Sequence, residues 1–275
     1  MPDIIVNGVR LVYDTHGDPA KPPLFMIHGL YGNRHLGPMI DVFADDYRVI
    51  AYDARGHGDS DKPAHYTLED HGRDLLELIS ALGYEKANVM GISMGSYIAA
   101  QAAILDSSRI DKLVLVVTKG HGKTSSVLRY LTGKGLNPAD MDQEQLVAAM
   151  EDAIWSTDTS PERRQQIMDE QQAALPEGTK ELTADEKRAV DEALANFDLR
   201  PGLGNITVPT LVVSGRDDGL NPPDMGREVA DLIPGSTFLV FDHSGHMLVA
   251  EEPQRLKQEV DAFLSAPAGR DSMPS

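Results

Sequence analysis

Gly91-Ile92-Ser93-Met94-Gly95 is the stretch on which the interpretation of this chain depends, because it has the form G-x-S-x-G. It coincides with the end of an apolar run at residues 87–92 and precedes a helical pattern that begins near residue 96. In a sharp turn from strand to helix, flanking glycines allow the backbone to approach closely and the serine hydroxyl projects from the sheet. The hydroxyl then lies at a helix N-terminus, whose partial positive charge favours a developing anion. The stretch therefore predicts a nucleophilic Ser93, the alternative being a tight turn with an inert serine.

Short and almost continuously apolar runs recur on both sides of this stretch and alternate with helical patterns. Such alternation is typical of a parallel sheet whose strands are buried on both faces by helices. Asn7-Gly8 joins two short apolar runs and predicts a hairpin, so we expect the sheet to begin with an antiparallel pair. Together with residues 87–92, the predicted strands are residues 4–6, 9–13, 24–27, 48–52, 113–117, 210–214 and 237–241.

Helical patterns show where the chain departs from this alternation. Thr67 and Asp70 have the spacing of a reciprocal cap and predict a helix that ends at Gly83. Between residues 119 and 205, four helical patterns follow one another without a strand. We therefore predict an α/β core at residues 1–118 and 206–265, an all-helical insertion at residues 119–205, and a flexible tail at residues 266–275.

Two late loops carry the groups that a serine nucleophile needs, namely a base and a carboxylate that orients it. Asp217 and Asp218 follow the strand at residues 210–214, and His243 and His246 follow the strand at residues 237–241. Parallel strands end at the same edge of a sheet, where ligands bind in such folds. We therefore expect an acid and a base from these loops to meet Ser93.

Several segments, taken together, resemble the α/β-hydrolase family, and specifically its capped, esterase-like branch. The resemblance covers nearly the whole chain. It implies an eight-stranded, mostly parallel α/β-hydrolase sheet flanked by helices, with residues 119–205 as a helical cap. The segments are His28-Gly29-Leu30-Tyr31-Gly32, Asp53-Ala54-Arg55-Gly56-His57-Gly58-Asp59-Ser60, Gly91 to Gly95, Gly215 to Pro222, and Gly245-His246 with Glu252-Pro253.

The resemblance also selects among the candidate site residues. The family places its acid three residues after a glycine, which gives Asp218 with Asp217 as the alternative, and its histidine directly after a glycine, which gives His246 rather than His243. It further implies that the oxyanion is bound by the backbone N–H groups of Leu30 and Met94, whose side chains are apolar. Tyr31 and Trp155 are candidates to line the pocket, the alternative for each being ordinary packing in the core.

Composition excludes several other classes of function. The chain has 275 residues, no cysteine and a net charge of −18, which argues against nucleic acid and anionic membranes as partners. The sequence contains no Gly-x-Gly-x-x-Gly and no His-Glu-x-x-His, so we expect neither a dinucleotide cofactor nor a metal. With neither a signal-peptide pattern nor an apolar run long enough to span a membrane, the expected location is the cytoplasm.

These expectations combine into a serine hydrolase that cleaves a small soluble carboxylic ester through an acyl-enzyme intermediate. The small-molecule substrate itself is not indicated by any pattern in the sequence. Other chemistries on the same residues stay open, namely a carbon–carbon bond hydrolase, an enol-lactonase and a cofactor-free perhydrolase. A non-catalytic small-molecule receptor of the same fold also remains an alternative.

Overall fold

A central β-sheet positions the loops that carry the candidate catalytic residues, because each of these loops follows one of its strands. The protein is represented by a computed structural model that describes residues 1–267. Its strands, in chain order, are β1 Asp3–Val6, β2 Val9–His16, β3 Pro23–Ile27, β4 Arg48–Tyr52, β5 Ala87–Ile92, β6 Ile110–Val116, β7 Thr210–Gly215 and β8 Thr237–Phe241. They form an eight-stranded sheet in the order β1-β2-β4-β3-β5-β6-β7-β8. Strand β2 runs antiparallel to both of its neighbours and the remaining neighbours pair in parallel, which confirms the predicted, mostly parallel sheet.

The hairpin between β1 and β2 forms as its two turn residues predict. Asn7 and Gly8 have φ angles of 45° and 75°, and Val6 pairs directly with Val9 across the turn. Two consecutive residues with positive φ match the right-handed twist of the strands, and Asn-Gly adopts this conformation readily. The sheet therefore begins with the expected antiparallel pair.

Helices cover both faces of the sheet. In chain order they are α1 Pro38–Ala44, α2 Leu68–Ala81, α3 Met94–Leu105, α4 Ser126–Gly133, α5 Gln143–Ile154, α6 Pro161–Ala173, α7 Ala184–Leu194, α8 Arg200–Leu203, α9 Pro223–Leu232, α10 Leu248–Glu251 and α11 Pro253–Ser265. Alternate side chains of β3 enter two separate cores: Phe25 and Ile27 pack with α2, α3 and α9, whereas Leu24 and Met26 pack with α1 and α11. The strands are thus apolar on both faces because both faces are covered.

The start of α2 is determined locally. The Thr67 hydroxyl accepts from the backbone N–H of Asp70 at 3.2 Å, and the Asp70 carboxylate accepts from the backbone N–H of Thr67 at 2.9 Å. These two bonds satisfy donors that the first turn of a helix would otherwise leave without partners. The helix ends two residues before Gly83, which has a φ of 86°. The predicted capped helix is confirmed.

The chain between β6 and β7 is helical and contains the four consecutive helices predicted there, α4 to α7, followed by the short helix α8. Its two ends pair with each other before the chain rejoins the sheet: Gly122 donates to the carbonyl of Phe197 at 2.8 Å, and Leu199 donates to that of Gly120 at 2.8 Å. We retain the division into a core and a cap at residues 119 and 205 as a proposal. Of the predicted tail, residues 268–275 lie outside the described residues.

Some short helices are absent from the prediction. Helices α1, α8 and α10 contain seven, four and four residues, so they complete two turns at most and display no periodicity that a sequence pattern can reveal. Within residues 1–267, no helix has the length and hydropathy needed to cross a membrane.

Candidate active site

Ser93 occupies a sharp turn between β5 and α3. Its φ and ψ angles are 52° and −116°, a conformation that L-residues rarely adopt and that costs about 1–3 kcal/mol. The two glycines permit the turn, because a Cβ atom on Gly91 would lie 2.1 Å from the carbonyl oxygen of Gly95. A Cβ atom on Gly95 would lie 2.2 Å from the carbonyl oxygen of Ile27. The G-x-S-x-G spacing therefore reflects close contact between backbone segments on both sides of the serine.

Ser93 is the first member of a chain of three hydrogen-bonded side chains. The Nε2 atom of His246 lies 3.0 Å from the hydroxyl oxygen of Ser93, and Nδ1 of the same ring lies 2.8 Å from Oδ2 of Asp218. The buried carboxylate is itself held, because Oδ1 accepts from the backbone N–H groups of Leu220 at 2.9 Å and Asn221 at 2.8 Å. Since an ionised carboxylate only accepts, Nδ1 carries the proton and Nε2 is free to accept the proton of the serine hydroxyl. This arrangement can generate a nucleophilic serine.

The neighbouring candidates have other partners. Asp217 accepts hydrogen bonds from the Ser156 hydroxyl at 2.9 Å and from the backbone and hydroxyl of Thr157 at 3.0 Å each. Burial alone would raise the pKa of Asp217, but these hydrogen bonds outweigh it and lower the pKa. His243 is exposed and pairs with Asp158. The structure therefore brings Asp218 and His246 to Ser93, and not Asp217 and His243.

The two predicted oxyanion donors lie on either side of Ser93. Leu30 belongs to the loop after β3, where a Cβ atom on the preceding Gly29 would lie 3.6 Å from Cβ of Ser93. Met94 is the first residue of α3, and N–H groups in the first turn of a helix have no partner within the helix. Within residues 1–267, neither amide donates a hydrogen bond to another protein atom. Both N–H groups are thus available to an oxygen of a ligand.

His28 supports the loop that carries Leu30. Its Nε2 accepts from the backbone N–H of Ala54 at 3.1 Å, so the proton resides on Nδ1, which donates to the carbonyl of Gly29 at 2.7 Å. Burial lowers the pKa of His28 to about 4, and the ring is neutral at physiological pH. Both ring nitrogens are engaged by the backbone, so His28 positions the loop and is not available as a base.

A cavity of about 600 Å³ opens above Ser93 and His246. One wall is the apolar surface of the core, including Leu36, Met39 and Val249, and the opposite wall is α6 with the residues that follow it, including Met168 and Leu175. Among the described residues that line the cavity, none is Asp, Glu, Lys or Arg. The titratable groups of the wall are Tyr31 and the histidines, and burial lowers the pKa of both His28 and His35. The described residues that line the cavity therefore supply no carboxylate, ammonium or guanidinium group.

The two residues predicted to line the pocket have different positions. Tyr31 lines the cavity, and its hydroxyl donates to Asp191 of α7 at 2.6 Å. Trp155 does not line this cavity, so of the two roles predicted for it, pocket lining and ordinary packing, the structure supports packing. Its side chain is only 3% exposed, and its backbone packs so closely against Gly245 that a Cβ atom there would lie 2.8 Å from the Trp155 carbonyl carbon.

Asn221 has a role that the sequence does not reveal. Its backbone N–H holds Asp218, and its side-chain amide donates to the Tyr97 hydroxyl and to the carbonyl of Val117, each at 2.7 Å. Asn221 thereby connects the loop after β7 to α3 and to the end of β6. No motif spacing marks an asparagine for this role, because its side-chain partners, Tyr97 and Val117, come from distant parts of the chain.

The fold and the polar groups at the carboxyl edge of its sheet are those of an α/β enzyme. A family model described as alpha/beta hydrolase fold matches residues 22–253. The chain belongs to the alpha/beta hydrolase family, and its relatives include proteins named as enol-lactonases and carbamate hydrolases.

Individual relatives agree with this assignment. The chain is 30% identical over 267 residues to 3-oxoadipate enol-lactonase 2 of Acinetobacter baylyi, and the match covers 95% of each chain. Among solved structures, it resembles the enol-lactonase of Burkholderia xenovorans with a TM-score of 0.78 and 26% identity, over 96% of this chain and 100% of that one. It also shares its fold with a thermophilic esterase from Thermogutta terrifontis, with a TM-score of 0.76 and 23% identity, over 96% and 98% of the two chains.

Three buried histidines next to the site lead to a prediction about stability in acid. Burial lowers the pKa of His28 to about 4, that of His57 to about 3 and that of His71 well below its usual value. In the unfolded chain these rings take up protons near pH 6.5, whereas in the folded protein they stay neutral, so the unfolded state binds more protons at pH 5. As the pH falls from about 6.5 toward the lowered folded-state pKa, each histidine should reduce the free energy of unfolding, with a limiting slope of about 1.4 kcal/mol per pH unit.

Denaturant titrations at pH 7, 6 and 5 measure this slope. His57→Asn removes one titrating ring and keeps an amide donor for the carbonyl of Arg55, so the slope should become shallower. His65→Gln alters an exposed ring and should leave the slope unchanged. A free energy of unfolding that stays constant from pH 7 to pH 5 in the wild type would contradict the prediction.

Proposed function

We propose that the protein hydrolyses small, uncharged carboxylic esters, with Ser93 as nucleophile, His246 as general base and Asp218 as the group that orients the imidazole. The observation that carries the proposal is the Ser93–His246–Asp218 chain of hydrogen bonds, at 3.0 Å and 2.8 Å, beneath a cavity that can hold a small molecule.

The geometry supports a reaction in two halves. Ser93 attacks the ester carbonyl while Nε2 of His246 takes its proton, and the resulting oxyanion accepts hydrogen bonds from the amides of Leu30 and Met94. Each such donor contributes about 3 kcal/mol in typical hydrolases. His246 then protonates the departing alcohol, leaving an acyl group on Ser93. A water molecule, deprotonated by His246, attacks this acyl group, and His246 returns the proton to the Ser93 oxygen as the acid is released.

The cavity supports the restriction to uncharged substrates. A substrate carboxylate buried without a cationic partner would lose its hydration and gain no ion pair, which is costly in an apolar site. The described lining residues offer amides, such as Gln171 and Gln172, but no lysine or arginine. Lys187, whose Nζ lies 5.8 Å from the centroid of the Tyr31 ring, is paired with Glu181.

Cyclic esters are a second candidate, favoured by the two relatives named as enol-lactonases. A lactone is cleaved by the same attack on a carbonyl, and its alcohol simply remains attached to the acyl product. The absence of a cation among the lining residues of the cavity favours neutral lactones over those that bear a free carboxylate.

The first prediction concerns the nucleophile. A fluorophosphonate probe should label the protein once, at Ser93, and Ser93→Ala should abolish both the labelling and the hydrolysis of p-nitrophenyl butyrate. Mass spectrometry of the labelled peptide identifies the site. Labelling at another residue, or esterase activity that survives the substitution, would exclude the proposed mechanism. Labelling of Ser93 with no turnover of any ester or lactone would indicate a receptor instead of an enzyme.

The second prediction separates the adjacent aspartates. Asp218→Asn keeps the size of the side chain but presents the wrong group to His246, and the corresponding change in a serine protease reduces turnover about 10⁴-fold. Asp217→Asn should reduce turnover by no more than about tenfold, or 1.4 kcal/mol, because Asp217 contacts residues 156 and 157 instead. Steady-state kinetics at neutral pH, with circular dichroism of both variants, test this order. A reversed order would assign the orienting role to Asp217.

The third prediction concerns the substrate. The kcat/KM for p-nitrophenyl butyrate should exceed that for the mono-p-nitrophenyl ester of glutaric acid, because only the second compound brings a carboxylate into the uncharged cavity. Soluble short-chain esters should also be better substrates than emulsified long-chain triglycerides. Equal or higher kcat/KM for the anionic ester would contradict the proposed substrate class.

A further inference from the structure

Residues 153–159, at the end of α5 and before α6, contact both late loops of the site; we call this segment the tether. Gly219, directly after Asp218, donates its backbone N–H to the carbonyl of Ala153 at 2.8 Å. Met247, directly after His246, donates to the carbonyl of Ile154 at 3.1 Å. The tether is therefore bonded to the chain on the C-terminal side of both the acid and the base.

Two carboxylates bond the tether to the N-terminal sides of the same residues. Asp217, directly before Asp218, accepts from Ser156 and Thr157 as described above. Glu251 forms the equivalent link toward His246. Its Oε2 accepts from the backbone N–H of Gly245 at 2.7 Å, directly before His246, and its Oε1 accepts from two groups of the tether. These groups are the backbone N–H of Ser156 at 2.8 Å and the hydroxyl of Thr159 at 2.6 Å.

Burial and backbone contact make this connection rigid. Ser156 is fully buried, and Trp155 and Thr159 are nearly so. A Cβ atom on Gly245 would lie 2.6 Å from the carbonyl oxygen of Ile154, and one on Gly219 would lie 3.0 Å from Cα of Ala153. The tether thus packs directly on the backbone of both loops, as well as forming hydrogen bonds to them.

We propose that the tether positions Asp218 and His246, and that Glu251 is the positioning residue that joins the tether to the His246 loop. This inference rests on the proposed function, since it assigns a purpose to the placement of the acid and the base. The residues before and after each of these side chains are held by the tether, so its position fixes where the imidazole and the carboxylate stand relative to Ser93. An error of about 1 Å in such a placement can reduce turnover about 10²-fold.

A carboxylate suits the place of Glu251 because every partner there is a donor. Both of its oxygens accept hydrogen bonds, one from Gly245 and the other from Ser156 and Thr159. An amide of the same shape has only one oxygen, so its NH₂ group would face an N–H or O–H donor on one of the two sides. Glu251→Gln must therefore release the tether or the His246 loop while changing the volume very little.

Kinetics and NMR of Glu251→Gln test the proposal. We expect kcat for p-nitrophenyl butyrate to fall by about 10- to 100-fold with KM within about twofold of wild type, because the substrate cavity is not altered. The low-field resonance of the Nδ1 proton of His246, which depends on its hydrogen bond to Asp218, should shift or broaden in the absence of substrate. Glu228→Gln, at an exposed carboxylate of α9, is the matched control and should change neither measurement.

Substitutions in the tether provide an independent test. Thr159→Val removes one donor to Glu251 and should lower kcat in the same direction, whereas Thr159→Ser keeps the hydroxyl and should restore most of it. If Glu251→Gln does not fold, this pair decides the proposal. Unchanged kcat and an unchanged His246 resonance in Glu251→Gln, or in Thr159→Val when the former does not fold, would overturn it. If Ser93→Ala still abolishes activity, an overturned positioning role would leave the proposed function intact. Activity that survives in Ser93→Ala would instead refute the proposed function.

Discussion

The imidazole of His246 must meet two partners at once, and the rest of the site is arranged around this requirement. Ser93 follows β5, Asp218 follows β7 and His246 follows β8, so three separate strands must end in register within hydrogen-bonding distance. Strand β6 lies between β5 and β7 and links them, because the backbone N–H of Ser93 donates to Val116 at 2.9 Å and that of Val117 donates to Val213 at 2.8 Å. A shift of a strand by one residue would separate the three side chains.

Buried polar groups hold the loop on the other side of Ser93. The guanidinium of Arg34 and the carboxylate of Asp53 are both buried and form an ion pair, and the backbone N–H of Arg34 donates to the same carboxylate at 2.7 Å. Such a pair adds little net stability because both ions lose their hydration, but removing one partner is strongly destabilising. Together with His28, the pair forms hydrogen bonds to the backbone of the loop that carries Leu30.

The helices between β6 and β7 contribute to the site in two distinct ways. Helix α6 supplies the outer wall of the cavity through Met168 and neighbouring residues, and the tether packs on the loops of Asp218 and His246. The same insertion thus borders the space for a substrate and contacts the residues that would act on it. If the tether positions these residues as proposed, changes in the insertion would affect turnover as well as substrate choice.

Local patterns in the sequence were sufficient for most of the fold. Buried strands, the Asn7-Gly8 turn, the cap at Thr67 and the turn around Ser93 each depend on residues adjacent in the chain, so short-range rules predicted them. Short-range rules did not separate Asp217 from Asp218, for which the family resemblance was needed. They also did not decide whether Trp155 lines the pocket or packs in the interior, and the structure shows it buried outside the cavity. Adjacent side chains of a loop point in different directions, and only the tertiary structure decides which partners they reach. In the folded protein Asp218 contacts His246 and Asp217 contacts the tether. These partners lie about 30 and about 60 residues away in the chain, so no local pattern in the sequence could indicate them.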